Sequence, residues 1–267
     1  MIERHANIDA KRLAQAFGTT IVLLPHHDDE CAAGALLHEL RGHAKVVFLT
    51  DSAPADPYFW QEYGSREKYR TLRQQESLAT LGNLGVTVQF AATSAADQQL
   101  HLHLRHTLAT CISAAKEWRA KTVLAPAYEG GHPDHDSASW LASAVARAIG
   151  AQHWELPYYH LTRSGKYRQQ RFLPHPTAPV EWHLSISPTE AERKRAMWSA
   201  YESQCRVLRE FAIERESYRR APAYDYTRAP HDGLLNYEAW GWPVTGRDLL
   251  RTFAEAQEPH TANYAVA

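Results

Sequence analysis

Cysteine is scarce in this 267-residue chain, and the three present, Cys31, Cys111 and Cys205, are too widely and irregularly spaced for a disulfide framework or a CxxC metal site. Three reduced thiols, mostly buried, in a cytoplasmic protein are the expectation. Net charge is scarce too: 29 Lys and Arg against 30 Asp and Glu leave -1, which excludes a broad electrostatic nucleic-acid binder but not a local basic patch. Long apolar runs are missing, and stretches such as 21–25 are far too short to span a bilayer. The first residues, Met1 to His5, mix charges and lack an apolar core with a small-residue cleavage site, so no signal peptide is expected. No GxGxxG follows the first strand-like run, and three carboxylates occupy the helix start where a pyrophosphate would sit, which disfavours dinucleotide binding; neither a GxSxG elbow nor a P-loop occurs.

What the chain does hold is an ordinary globular composition, 44% hydrophobic and 22% charged, together with 16 histidines. Its first 150 residues alternate strand-like with helix-like segments. Strands are expected at 19–25, 45–50, 86–90 and 122–126, and helices at 28–41, 66–81 (ended by Gly82), 100–119 and 137–149. Near-continuous apolar strands in such alternation imply an α/β fold, a Rossmann-like, mostly parallel sheet with helices on both faces. Shorter strands follow at 153–156, 158–162, 167–172 and 180–186, partly as a hairpin through Ser164-Gly165. A helix then opens at Pro188, with Thr189 as a candidate cap, and runs to about 215. A C-terminal elaboration over 211–257, rich in β-structure and loops, and a loose tail over 258–267 complete an expected single domain over 1–267 whose core is 19–210.

In parallel α/β sheets ligands bind at the carboxyl ends of strands. Two segments there carry chemistry: Pro25-His26-His27-Asp28-Asp29-Glu30, and Gly131-His132-Pro133-Asp134-His135-Asp136. Singly, each is explained by helix capping and dipole compensation, with Asp134 and Asp136 as candidate caps of a helix beginning near Ser137. Together they place several histidines and carboxylates at two strand ends, the donor types of an open catalytic zinc site with a spare carboxylate as base.

These segments resemble the PIG-L/LmbE-like family of zinc-dependent N-acetylglucosaminyl deacetylases, whose usual first motif is PHPDDE; His27 stands at its proline. Arg73-Gln74-Gln75-Glu76 leading to Leu81-Gly82 resembles the family's RxxE…LG helix, residues 194–204 (KRAMWSAYESQ) resemble its lysine-then-SQ helix, and Thr50-Asp51 is followed by Ser52 where glycine is common. The resemblance covers roughly residues 19 to 210. It implies His26, Asp29 and His135 as ligands of Zn2+, Asp28 as general base, His132 as general acid or oxyanion partner, Asp134 as the residue orienting His132, and Arg73 as a contact to the substrate. Some family members carry a tyrosine just before HPDH; Gly130-Gly131 occupy that stretch here and Tyr128 is the nearest phenol, so no tyrosine role is assigned. The activity implied is hydrolysis of the acetamide of an N-acetylglucosamine-type sugar on a small or lipid-like aglycone. An amidase cleaving a larger acyl group, and a non-catalytic sugar-binding module on the same fold, are the alternatives, the latter disfavoured by the intact base and ligands. The expected partner is a small-molecule amino sugar, with no nucleic acid and no membrane span.

Other signals stay open at this point. His101, His103 and His106 fall in a helix away from the site, and His231 sits among the C-terminal aromatics. Tyr58, Phe59, Trp60 and Tyr63 either line a substrate loop or staple it to the body; the cluster between Tyr224 and Trp242 poses the same choice. Arg163, Lys166, Arg168 and Arg171 read as a solvated basic hairpin or as a site for an acidic aglycone.

Overall fold

A computed structural model describes residues 5–91 and 95–258; residues 1–4 and 259–267, the latter nearly all of the expected tail, lie outside it. Strands β1 (His5–Ile8), β2 (Thr20–Leu24), β3 (Ala44–Phe48), β4 (Thr87–Phe90), β5 (Thr122–Pro126), β6 (Gln152–Leu156), β9 (Glu181–Leu184) and β10 (Ser217–Arg220) form one sheet in the order β1-β9-β10-β6-β5-β2-β3-β4. From β6 to β4 all neighbours pair in parallel, whereas β10 runs antiparallel to both β6 and β9. A separate hairpin, β7 (Tyr159–Leu161) with β8 (Tyr167–Gln169), turns through Gly165, whose φ of 77° is the left-handed region glycine favours.

The period of two along each strand builds both faces at once. Ile21 and Leu23 of β2 join one core with Val47, Val123 and Ala125; Val22 and Leu24 join the other with Val46, Phe48 and Leu124. Helices α4 (Leu104–Glu117), α5 (Pro133–Ile149) and α9 (Gly246–Gln257) cover the first face, while α1 (Ala10–Phe17) and α2 (Gly34–Glu39) cover the second. Helix α3 (Arg66–Leu84) follows β3, and α6 (Pro188–Ser199), α7 (Cys205–Leu208) and α8 (Asn236–Ala239) belong to the later half. Among the described residues no helix is long and apolar enough to cross a membrane.

Several boundaries differ from the sequence expectation, each for a local reason. α3 runs through Gly82 and stops at Gly85, because a helix tolerates glycine at a cost of about 1 kcal/mol but ends where φ turns positive, here 70°. α5 starts at Pro133, not Ser137: His132 caps it and proline, lacking an N–H, fits the first turn, so Asp134 and Asp136 lie inside the helix and are not its caps. The Pro188 helix is capped by Ser187, not Thr189, through a reciprocal box with Glu190, and ends at Ser199. Beyond it Ser203 and Gln204 turn inward to Glu76 and Tyr69. Of the thiols, Cys31 and Cys111 are buried and Cys205 is exposed.

Candidate active site

Strands β2 and β5 are direct parallel neighbours, so the two motifs that follow them emerge side by side. The sheet also changes direction of growth there, with β3 and β4 on one side and β6 on the other, the arrangement that opens a ligand crevice.

After β2 the chain makes a tight turn in which Asp29 N–H donates to His26 O at 3.2 Å and His26 N–H donates to Asp29 Oδ2 at 2.8 Å. Asp28 adopts φ 143°, a conformation costing a non-glycine residue about 1–3 kcal/mol. The surroundings over-determine it: Asp28 N–H donates to Glu30 Oε2 (3.0 Å), and the Arg73 guanidinium donates to Ser52 O (2.6 Å), His27 O (2.8 Å) and Asp28 Oδ1 (2.6 Å). Ser52, at the family's glycine position, has φ 58°, and its hydroxyl accepts the His27 N–H at 2.8 Å. The His27 ring lies edge-on to Phe48 and Phe90 with both nitrogens buried and unpartnered, and burial followed by Arg73 holds its pKa well below the usual value. It packs as an apolar group.

After β5, Asp136 Oδ1 accepts the N–H groups of Glu129 (3.1 Å) and Gly130 (3.0 Å), tying the loop to the start of α5. Gly131 passes so close to Tyr159 that a Cβ would stand 1.8 Å from its carbonyl oxygen. His132 Nδ1 accepts the Asp134 N–H at 3.1 Å, so the proton of the neutral ring sits on Nε2, which lies 3.4 Å from Asp97 Oδ1.

The six residues of the expected metal and acid–base set other than Arg73 are all buried and converge. Asp29 reaches His26 Nδ1 through Oδ2 (3.4 Å) and His135 Nε2 through Oδ1 (3.2 Å). The donor atoms of His26, Asp29 and His135 lie within 4.8 Å of one another, as do those of His26, Asp97, His132 and Asp134. Asp134 does not orient His132 with its carboxylate: that group accepts the N–H of Gln98 (2.6 Å) and Leu100 (2.9 Å) and meets His26 Nε2 at 3.1 Å. Arg73, only 4% exposed, lines the cavity but directs its donors at the turn, not outward. Asp97, which no sequence motif marks, stands 3.2 Å from His26 Nε2 as well as beside His132. Its position beyond β4, another parallel strand, is the one signal that points to it, as the end of β6 is for Tyr158 and Tyr159. Tyr158 donates to Asp29 O (2.9 Å) and packs on His135, while Tyr128 donates to Arg228 O.

The electrostatics divide the carboxylates. Burial alone would raise both, but His135 and His26 outweigh it at Asp29 and hold it well below the ordinary range. At Asp28 burial prevails over Arg73 and the pKa rises to about 6. Burial opposes charge on His26, yet Asp97, Asp29 and the bond to Asp134 hold its pKa well above the usual value. The centre is therefore one that stabilises positive charge. His135 Nε2, buried with no aligned hydrogen-bond partner, adds a donor atom beside Asp29. Two imidazoles and one carboxylate around an open face are the donor set of a catalytic zinc site, and these residues fit such an ion.

The cluster floors a cavity of about 410 Å³. Of the aromatics left open by the sequence, Phe59, Trp240 and Trp242 line it; Trp60 donates to Pro54 O and Tyr63 to Ser203 O, holding their loop, and Tyr58 is exposed. Tyr224, Tyr226 and Tyr237 pack against the core, and His231, His103 and His106 do not line the cavity.

Residues 21–147 match the family model described as PIG-L, GlcNAc-PI de-N-acetylase. A comparison with the curated proteins finds no match. Among solved structures the fold is similar to a deacetylase of the teicoplanin biosynthesis pathway (TM-score 0.62, 16% identity, 75% of this chain and 96% of that chain covered). It is also similar to the A40926 pseudoaglycone deacetylase (0.61, 18%, 78% and 99%) and to the N,N'-diacetylchitobiose deacetylase from Pyrococcus horikoshii (0.50, 14%, 84% and 91%). Residues 21–147, just under half of the chain, thus match the PIG-L family model, and the fold is similar to that of these deacetylases.

Proposed function

We propose that the chain is a zinc-dependent hydrolase that removes the acetyl group from an N-acetylglucosamine-type amino sugar carried on a small-molecule aglycone. The observation that carries this reading is the convergence, from two adjacent parallel strands, of a buried His26–Asp29–His135 donor set with Asp28 and His132 at one cavity. The three donors would hold the ion, and when bound it supplies Lewis acidity, acidifying water and polarising the amide carbonyl.

The chain's own residues divide the remaining work. Asp28, with a pKa near 6, is ionised at neutral pH and takes the proton of the attacking water. Arg73 fixes that carboxylate from behind. His132, whose Nδ1 is engaged by the Asp134 N–H, presents Nε2–H as a hydrogen-bond donor to the carbonyl oxygen as negative charge develops there, with Asp97 holding it, and the departing amine takes the proton that Asp28 removed from water. Asp134 steadies the outer nitrogen of His26, the partner a ligating imidazole commonly has. The products are acetate and the free amino sugar.

The test is acetate release by metal-loaded protein from a panel of N-acetylglucosaminides, with bound metal measured in parallel. Asp28→Ala is expected to keep the metal and lose about 10²–10⁴ in rate, whereas His135→Ala loses both. An Asp28→Ala variant as active as the parent would refute the mechanism.

A further inference from the structure

The cavity is larger and more apolar than the acid–base cluster at its floor requires. Pockets of roughly 300–1,000 Å³ bury drug-sized ligands, and this one, about 410 Å³, falls in that range. Polar side chains in its lining come from both halves of the chain: Arg73, Asp97 and Gln98 from the first, with Tyr69, whose hydroxyl accepts from Gln204, and Gln169, Gln204, Arg206 and Glu210 from the later one. Aromatic side chains come largely from the later half and form a continuous belt. Trp242 lies edge-on to His132 at 4.8 Å; Trp240 packs on Trp242 at 5.1 Å; Tyr159 meets Trp240 at 5.7 Å and stacks with Tyr167 at 6.3 Å and 27°.

The outer end of this belt is open to water. Trp240 is 49% exposed and Tyr167 46%, and Val207 beside them in the lining is 48% exposed. Apolar rings left half-exposed in a row at the mouth of a reaction cavity mark a binding surface, not core packing. The charged residues of the later half that join this lining, Arg206 and Glu210, are opposite in sign, so they add no net charge to recruit an anionic group.

We propose that this belt is a subsite for an uncharged apolar aglycone, ring-bearing or alkyl, attached to the amino sugar. The inference rests on the amino-sugar reading above. The belt begins at His132 and ends in solvent, so what it covers is the part of the substrate farthest from the scissile amide. The sugar's hydroxyls are then left to the polar lining, and the carrier stacks across Tyr159, Tyr167 and Trp240.

The experiment compares kcat/KM for a methyl and a p-nitrophenyl N-acetylglucosaminide, and for the methyl glycoside with N-hexanoyl in place of N-acetyl. Calorimetry with p-nitrophenyl glucosaminide, the amine product, gives a readout independent of turnover. The parent is expected to prefer the aryl over the methyl glycoside by about tenfold, the worth of burying part of one ring. In Trp240→Ala and Tyr167→Ala, checked for a parent-like melting temperature, that ratio falls toward unity and calorimetric affinity for the aryl product falls with it. Trp240→Phe retains the preference. Equal kcat/KM for methyl and aryl glycosides in the parent overturns the proposal, as does a preference that survives both alanine variants. A gain from the N-hexanoyl group instead of the aryl group assigns the belt to the acyl side and also overturns it. If no glycoside releases acetate, the amino-sugar reading fails by itself, and aryl-product affinity that depends on Trp240 still supports the belt.

Discussion

Replacing Arg73 by lysine separates two roles for this side chain, contact with substrate and restraint of the catalytic turn. The guanidinium reaches three acceptors in different directions, Ser52 O, His27 O and Asp28 Oδ1, all within 2.8 Å. Lysine keeps the charge but has a single nitrogen and lacks the planar fork. Hydrogen bonds to charged groups contribute about 1.5–3 kcal/mol each, so losing two of the three destabilises the fold by about 3–6 kcal/mol. The turn they restrain holds Asp28 at φ 143°, so part of the lost restraint appears as relaxation of Asp28 away from its working position. A misplacement of about 1 Å costs on the order of 10² in rate. The expected outcome is a kcat lowered about 10²-fold with KM changed less than about threefold, together with a lower urea midpoint in the same preparation. A KM raised tenfold with kcat intact would refute this reasoning and restore the substrate contact implied by the family resemblance.

Two glycines in this structure have opposite expected responses to alanine. Gly82 is exposed within α3, and a Cβ added there meets nothing within 4 Å, so Gly82→Ala raises stability by about 0.5–1 kcal/mol; Gly131→Ala drives a Cβ into Tyr159 O and lowers both the melting temperature and turnover. A parent-like melting temperature for Gly131→Ala would contradict the close approach described. His153 carries a pH dependence. Its Nε2 is buried without a partner, and burial pushes its pKa down to about 4. The unfolded chain, near 6.5, then binds the proton first, so this residue's contribution is intact above pH 6.5 and is lost as pH falls toward 4, by about 2 kcal/mol at pH 5. Urea midpoints of His153→Leu should fall less steeply than the parent's between pH 7 and 5, and parallel curves would count against the assignment.

The parallel half of the sheet and both motif positions were legible because fully buried strands announce themselves as apolar β-branched runs, and the chemistry follows at their ends. Short elements were not legible. β10 covers only Ser217–Arg220 within a Pro- and aromatic-rich stretch, and its polar character reflects Arg219, buried against Glu155 at 2.6 Å. α9 hides behind Gly246, although Thr245 and Asp248 form a reciprocal cap. In the site, the two motifs that hold His26, Asp28, Asp29 and His135 stood out at strand ends, and the family resemblance singled these four out within them. Asp97 was not, because a lone aspartate in a loop has no local pattern and gains meaning only when β4 places it between His26 and His132.

The two later motifs, although Arg73, Trp198 and Gln204 reach the cavity lining, also act through the turn that holds Asp28. A conformation as strained as that of Asp28 persists only where its surroundings over-determine it, and the region after Pro188 supplies much of that restraint. Tyr201 donates to Glu30, whose other oxygen holds the Asp28 N–H. Trp198 Nε1 donates to Cys31 O at 3.0 Å. Lys194 pairs with Glu216 at 2.7 Å, both fully buried, and Glu216 accepts the N–H groups of Ala35 and Leu36 at the start of α2. Ser203 donates twice to Glu76, three residues along α3 from Arg73. Breaking one partner of a buried ion pair costs about 3–5 kcal/mol, whereas an apolar replacement of the whole pair is often neutral. Stability alone therefore does not account for charges buried at these positions. Their directional bonds do: they hold Glu30, Cys31, Ala35 and Leu36 in place while Arg73 holds the carboxylate of Asp28, so the strained turn is restrained by both sets of partners.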